Sequence, residues 1–444
     1  MLNKISSLLN NSLLRNALKL SSSNIILYLL PLIVTPILSR IYTPDSFGGW
    51  GIFSSTVVII TVILFGGYEY VIVKSNQSEL KNVAHLCAIA GICVILLLFI
   101  GFKLGDLLDI DFFTSFPSQN LLFIYLLVSI VLVSCQNYAN RTERYTFLAS
   151  SFLILGLAQA SLRILFGYIH VDTNGLILGT VLAQIVTAFY LLFRLRDKVK
   201  VFFSPVNLLE IKKTALKYRS FPLFDAPASL LAFGAFNLPI IILSFYYSRA
   251  DIGCFSIIIQ LLLLPMSFIG AAIGKVYYQQ IASADNDPHI IQNKSLGILK
   301  LLSYISIIPA AFLLCGGNIL VVFFLGNQWH LAGQVALCLS IWSIPTILSQ
   351  PLLPIYRNLD LQKRTLWYNG SYFVSGIGAI FIGCELGLSL MLTLTIFTIC
   401  CFCSKFLLVF DIIRITKVPL NKLPISSYIL LVVILILWIV RIQA

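Results

Sequence analysis

The chain has 444 residues, 59% of them apolar and 11% charged, with a formal net charge of +13. Soluble domains carry roughly a quarter charged residues, so this composition excludes an ordinary globular protein. A bilayer core of about 30 Å is crossed by about 20 apolar residues of helix, a length offered here many times, and the chain reads as an all-α, polytopic membrane protein.

Residues 1–21 place leucines at helical spacing among Lys4, Arg15 and Lys19, the pattern of an interfacial amphipathic helix and not of a cleavable signal. Apolar spans follow near 22–41, 50–72, 84–103, 119–137, 148–169 and 174–193, a first six-helix lobe over 22–193. Residues 194–219 carry eight Lys or Arg against two acids and read as a basic cytoplasmic linker. A second set lies near 221–246, 252–274, 296–315, 333–355, 367–385 and 387–410, a second six-helix lobe over 220–410. The tail, 411–444, holds a last apolar segment near 425–441, which makes about 12–13 spans in all. With the N-terminus cytoplasmic, most of the 30 Lys and Arg fall inside, and Arg40, Lys103, Arg249 and Arg441 remain near the outer face. The basic balance therefore sets topology and implies no nucleic-acid partner.

The ten cysteines lie in or beside apolar segments without paired loop spacing, and the four histidines are scattered near span ends. Neither disulfides nor a metal centre are expected from them. No nucleophile constellation or Gly-rich phosphate loop appears, so the expectation is a transporter without a cofactor, not an enzyme.

The hairpin "SRIYTPDSFGGWG", Ser39 to Gly51, has a looser copy in "SFYYSRADIGCF", Ser244 to Phe255. At an offset of 205 residues, Ser39, Tyr42 and Gly48 fall on Ser244, Tyr247 and Gly253 without a gap. Each copy follows the first long span of a lobe, and Pro44, Gly48 and Gly253 are expected to supply an outer turn and a close approach. A unit of six spans is even, so the two copies run parallel about an axis along the membrane normal, a known transporter design.

"PILSRIYTPDSFGGWGIFSS" and "GGYEYVIVKS" resemble the opening of Wzx-type flippases, the polysaccharide branch of the multidrug/oligosaccharidyl-lipid/polysaccharide (MOP) exporter superfamily. The family's hairpin reads here as Ser39, Arg40, Ile41, Tyr42, Pro44, Phe47 and Gly48. Tyr68, Glu69 and Tyr70 match an element ending the second span, with Gly67 where Arg is usual. "KYRSFPLFDAPASLL", "LLPMSFIGAAIGKVYYQQIA" and "FFLGNQWHLAGQVA" continue the likeness, which thins beyond roughly residue 365. The resemblance implies a MATE-like pair of six-helix lobes, related by a pseudo-twofold along the membrane normal, that rock around a central cavity. It implies transfer of a polyprenyl-pyrophosphate-linked oligosaccharide, such as an O-antigen unit, from the inner to the outer leaflet of the bacterial cytoplasmic membrane. The partners implied are this lipid-linked cargo, membrane lipids, the glycan polymerase and the chain-length regulator.

Pyrophosphate calls for cations where water is scarce, because an Arg fork takes phosphate oxygens bidentately. Ionisable residues inside spans are expensive and are the first place to look. Arg163 is the clearest, on one helical face with Gly156 and Gln159; it either lines the cavity or snorkels to the outer headgroups. Arg40 either meets the pyrophosphate near the outer leaflet or anchors the hairpin by pairing with Asp45. Lys275 is either a cation that engages the headgroup from the cytoplasmic side or an ordinary positive-inside anchor. Glu69 and Asp225 lie near the inner ends of the second and seventh spans. They pair with Lys74, Arg219 or Lys275 to close the cytoplasmic mouth, couple transport to a proton gradient, or form plain helix-end salt bridges. Pro31, Pro36, Pro222, Pro227 and Pro239 are permitted kinks.

Two other functions compete. A cation-coupled drug antiporter of the same superfamily predicts acids deep in the first lobe, where the deep charge here is Arg163. A membrane-embedded glycan polymerase or ligase predicts a large outer loop bearing Arg or His, whereas the outer loops here are short.

Overall fold

The computed structural model describes residues 30–169, 172–199, 207–282 and 287–443, and these form helices and short connections with no strand. The expected interfacial helix over 1–21 and residues 200–206 of the basic linker lie outside the described residues. The chain divides into two compact units. The first holds the described residues through Tyr42 with Ile52–Phe233, and the second holds Thr43–Gly51 with the residues from Gly234 onward.

In chain order the described residues begin with α1 (Leu30–Ile41), α2 (Pro44–Phe65), the short α3 (Tyr68–Lys74) and α4 (Leu80–Leu107). They continue through the single turn α5 (Asp111–Thr114), α6 (Gln119–Arg141), α7 (Tyr145–Tyr168) and α8 (Asp172–Val199). The amphipathic α9 (Leu208–Lys217) leads to a π-helical turn at Phe221–Asp225 and then α10 (Ala226–Leu243). The remainder runs through α11 (Arg249–Ala282), α12 (Pro288–Ile305), α13 (Ile307–Leu325), α14 (His330–Leu339) and α15 (Ser343–Ser349). It ends with α16 (Pro354–Asn358), α17 (Gln362–Glu385), α18 (Leu390–Ile415) and α19 (Ile425–Gln443).

Among the described residues, eleven helical segments are long and apolar enough to cross a membrane, the last of them being Ile425–Ile442. Of the expected spans, the first is described only from Leu30, and the one near 367–385 lies in α17, which carries Gln362, Lys363, Arg364 and Asn369 in its first turns. The outward faces are apolar: on α4, Leu96, Leu97, Phe99, Ile100 and Leu104 are all exposed. In water such a face would be an aggregation patch, and in lipid it is solvated. Hydroxyls inside the spans turn back on their own helix, as Thr61 does to the Val57 carbonyl and Thr346 to that of Trp342. In the second unit, α19 docks through Ile434 and Trp438, whose Nε1 donates to the Cys338 carbonyl at 3.1 Å.

One expectation about the repeated hairpins needs correction. Gly48 and Gly253 are not turn residues: both lie inside helices, α2 and α11, and the connections are only residues 42–43 and 244–248. The repeated polar residues around them are helix caps. Thr43 Oγ1 accepts from the Ser46 backbone N–H at 3.2 Å, and Pro44 takes the first helical position, where its missing N–H costs nothing. At the same offset, Ser248 Oγ accepts from the Asp251 N–H, and the Asp251 carboxylate accepts from the Ser248 N–H, each at 3.2 Å. This is a reciprocal capping box.

Candidate functional site

In the first unit, the hairpin's Tyr42 builds the surroundings of Arg163. Tyr42 is 2% exposed, and its hydroxyl donates to the Arg163 carbonyl at 2.7 Å. Two glycines make room for this side chain, since a β-carbon on Gly167 would stand 2.9 Å from the ring and one on Gly175 2.5 Å from the hydroxyl oxygen. Arg163 itself is half-buried on α7, and its Nε and Nη2 donate to Thr180 Oγ1 on α8 at 3.2 and 2.8 Å. Thr180 is fixed in turn by its bond to the Leu176 carbonyl at 2.7 Å. Gly179 lets the helices meet there, because its β-carbon would lie 2.9 Å from the Arg163 nitrogen. A neutral hydroxyl thus orients the guanidinium without cancelling its charge.

Gln159 is half-buried one turn earlier on α7. Arg40 is exposed at the end of α1, two residues before Tyr42, and the α1 end is carried to α7 by the contact of Ile41 and Tyr42 with Gly167. The fold therefore brings three of the expected substrate residues, Arg163, Gln159 and Arg40, to two packed helix segments of one unit.

Glu69 and Asp225 also belong to the first unit, each beside a backbone irregularity. Gly66 and Gly67 take φ of 56° and 81°, left-handed values that suit glycine and break α2 from α3 two residues before Glu69. Asp225 closes the π-helical turn, and Gly67 lies against Phe221 of that turn, with a would-be β-carbon 3.4 Å from its carbonyl. The two acids are therefore brought to one region, but differently: Glu69 is half-buried with Oε2 enclosed and lacking a hydrogen-bond partner, whereas Asp225 is exposed. Within this unit, among the described residues, neither acid bridges to Lys74 or Arg219, and the Lys74 ammonium sits 5.6 Å from the Phe221 ring centre instead. The pairing that exists lies just beyond: Glu79 bonds Lys217 and, at 2.8 Å, the Tyr218 hydroxyl, while Asn82 donates to Glu210 at 3.1 Å. These bonds dock α9, capped by Asn207, onto the start of α4.

In the second unit, Lys275 is exposed on α11, directly after Gly274. Gly270 and Gly274 allow α11 to approach Gln350 and Pro351, whose atoms would stand 3.2 and 3.5 Å from the added β-carbons. Sequence reasoning passed over two charges here. Lys405, inside α18, is 5% exposed with its Nζ 4.4 Å from the Tyr372 ring centre. Asp411 is 6% exposed and accepts from Tyr356 Oη at 2.8 Å and Arg364 Nη1 at 3.0 Å. The signal for Lys405 is the one that marks Arg163, an ionisable residue within an apolar run. A desolvated cation–π contact returns about 2 kcal/mol, while taking an ammonium out of water costs several, so Tyr372 alone does not account for Lys405.

Among solved structures, lipid II flippase MurJ in an inward closed conformation is similar, with a TM-score of 0.71 at 13% identity over 96% of this chain and 92% of that one. An inward-facing MATE-family multidrug resistance transporter of the MOP superfamily gives 0.61 at 16% identity, over 88% and 94%. A MOP-superfamily transporter from Pyrococcus furiosus gives 0.53 at 15% identity, over 90% and 95%. No curated protein sequence matches the chain. At these identities the likeness speaks for the fold, which is that of MOP-superfamily transporters and flippases, multi-pass proteins of the membrane. Residues 37–334 match the family described as polysaccharide biosynthesis protein, and the chain belongs to that family.

Proposed function

We propose that this protein carries a polyprenyl-pyrophosphate-linked oligosaccharide from the inner to the outer leaflet of the bacterial cytoplasmic membrane by alternating access, with its N-terminus cytoplasmic. Family membership directs attention to glycans. The observation that carries the reading further is Arg163, an arginine within a span whose fork is oriented by Thr180. Such a fork suits a pyrophosphate headgroup in a site poor in water.

In this reading Arg163 and Gln159 engage the pyrophosphate and the first sugar, Arg40 meets the headgroup as it leaves, and Lys275 meets it as it enters. Glu69 and Asp225 act at the cytoplasmic mouth. The enclosed, unpartnered oxygen of Glu69 favours a carboxyl that holds a proton in one state and releases it in another. The glycan polymerase and the chain-length regulator take the product on the outer side.

Deletion of the gene in its host tests the reading. Loss of surface glycan with complete lipid-linked units held on the cytoplasmic side is the expected result. Single units on the outer face that are not polymerised would identify an enzyme instead, and unchanged glycan with reduced efflux of toxic cations would identify an antiporter.

A further inference from the structure

The second unit encloses a group of polar side chains to which the transport reading gives no task. Lys405 Nζ makes no hydrogen bond or ion pair with a described residue; it faces the Tyr372 ring and has the Cys401 thiol nearby. Three more buried groups find no hydrogen-bond partner: Tyr372 Oη, Trp342 Nε1 and Thr398 Oγ1. Tyr372 is 4% exposed, and Trp342 and Thr398 are fully enclosed.

These groups share one neighbourhood. Phe236 packs on both Trp342 and Tyr372, with ring centres 6.0 and 6.1 Å away, and the Tyr372 hydroxyl has Trp342 and Cys401 as its polar neighbours. On α18, Thr398, Cys401 and Lys405 follow at i, i+3 and i+7, which is one helical face. The backbone around them is fixed: Ser375 and Ser404 bond across α17 and α18 at 2.7 Å, and Gly376 lets Cys401 approach a would-be β-carbon to 3.2 Å. The nearest acid along α18, Asp411, is already engaged by Tyr356 and Arg364.

An ammonium, an indole N–H and two hydroxyls all offer hydrogens, and none of the four is an obligate acceptor. Buried donors are normally satisfied, and a buried charge is normally paired. We propose that the second unit holds a small inorganic anion of the halide class between Lys405, Tyr372, Trp342 and Thr398. A single negative charge matches the single ammonium, whereas phosphate would bring excess charge into an enclosed space. The site uses none of the residues assigned to the cargo, so it stands apart from the transport reading.

The test is thermal unfolding of the purified full-length protein with potassium chloride exchanged for potassium gluconate at constant ionic strength. The midpoint is expected to rise with the logarithm of chloride concentration, as binding to the folded state requires, and bromide is expected to substitute. Lys405→Met removes the dependence, while Lys300→Met, an exposed lysine on α12, retains it. Equal midpoints in chloride and gluconate for the wild-type protein overturn the proposal, as does a chloride effect that survives in Lys405→Met. Should Lys405→Met fail to fold, crystals of the wild-type protein grown in bromide decide. An anomalous peak beside Lys405 and Trp342 supports the site, and its absence at saturating bromide refutes it.

Discussion

Gly48 and Gly253, 205 residues apart, meet backbone to backbone in the second unit. A β-carbon on Gly48 would stand 1.8 Å from the Arg249 carbonyl oxygen, and one on Gly253 would stand 1.8 Å from that of Pro44. Pro44 and Arg249 are related by the same offset, so the contact is reciprocal, as it is where two copies of one element pack about a local twofold. The helix caps Thr43 and Ser248 share the offset, and so do the tyrosine anchors. Tyr42 donates to the Arg163 carbonyl, and Tyr247 to that of Leu388 at 2.8 Å.

Gly48→Ala and Gly253→Ala are therefore expected to destabilise the protein by about 1–3 kcal/mol or more, because backbone cannot give way as a side chain can. Gly101→Ala on α4 is the control, since nothing lies within 4 Å of its would-be β-carbon. Thermal midpoints of the purified variants should fall for the first two and hold or rise for the third.

Arg163→Lys keeps the charge and loses the fork, and Thr180→Val keeps the fork and loses its orientation. Bonds to charged groups contribute about 1.5–3 kcal/mol, so each change should lower glycan export about 10-fold or more at normal expression. Quantifying surface glycan in a complemented deletion strain provides the check. Full export by Arg163→Lys would show that the fork itself is not used.

Asp411→Asn leaves the Tyr356 hydroxyl and Arg364 with a weaker acceptor inside the second unit. Arg364 is half-exposed, so the cost is set by the Tyr356 bond and the enclosed oxygen. A loss of about 1–3 kcal/mol is expected in the unfolding midpoint, with Asp411→Ala at least as severe.

The Lys217 ammonium and the Tyr218 hydroxyl bonded to Glu79 hold its carboxyl below its ordinary 4.5, and the same carboxylate raises Lys217 above 10.5. Glu79 therefore stabilises the docked α9 above pH 4.5, and this is lost as pH falls through its lowered value. Lys217 contributes fully below pH 10.5, and this is lost as pH rises through its raised value. Protection of the α9 amides, taken relative to the intrinsic exchange rate at each pH, should be highest between these limits and fall on either side, and Glu79→Gln should abolish the acid limb.

Spans and the repeat were legible because both rest on local pattern, apolar length in one case and a fixed offset in the other. The caps Thr43 and Ser248 are local features too, each with its partner, Ser46 or Asp251, three residues on. Lys405 and Asp411 were within reach of the rule that marked Arg163. What no pattern contained was the choice of partner. Glu69, for which an ion pair with a lysine or arginine is one expectation, has instead an enclosed oxygen, and it lies two residues after a left-handed Gly66–Gly67 pair that lies against the Phe221 turn. Such a contact joins segments about 150 residues apart, and helical periodicity carries no record of it.

The most direct test is a translocation assay in proteoliposomes. The purified protein is reconstituted with polyprenyl-pyrophosphate-linked oligosaccharide extracted from its host, and the glycan's exposure to an added impermeant glycosidase is followed in time. The wild-type protein is expected to speed transfer between leaflets, and Arg163→Ala in the same vesicles is not. Equal protection of the glycan with and without the wild-type protein, in vesicles where it is folded and oriented, would contradict the proposed translocation.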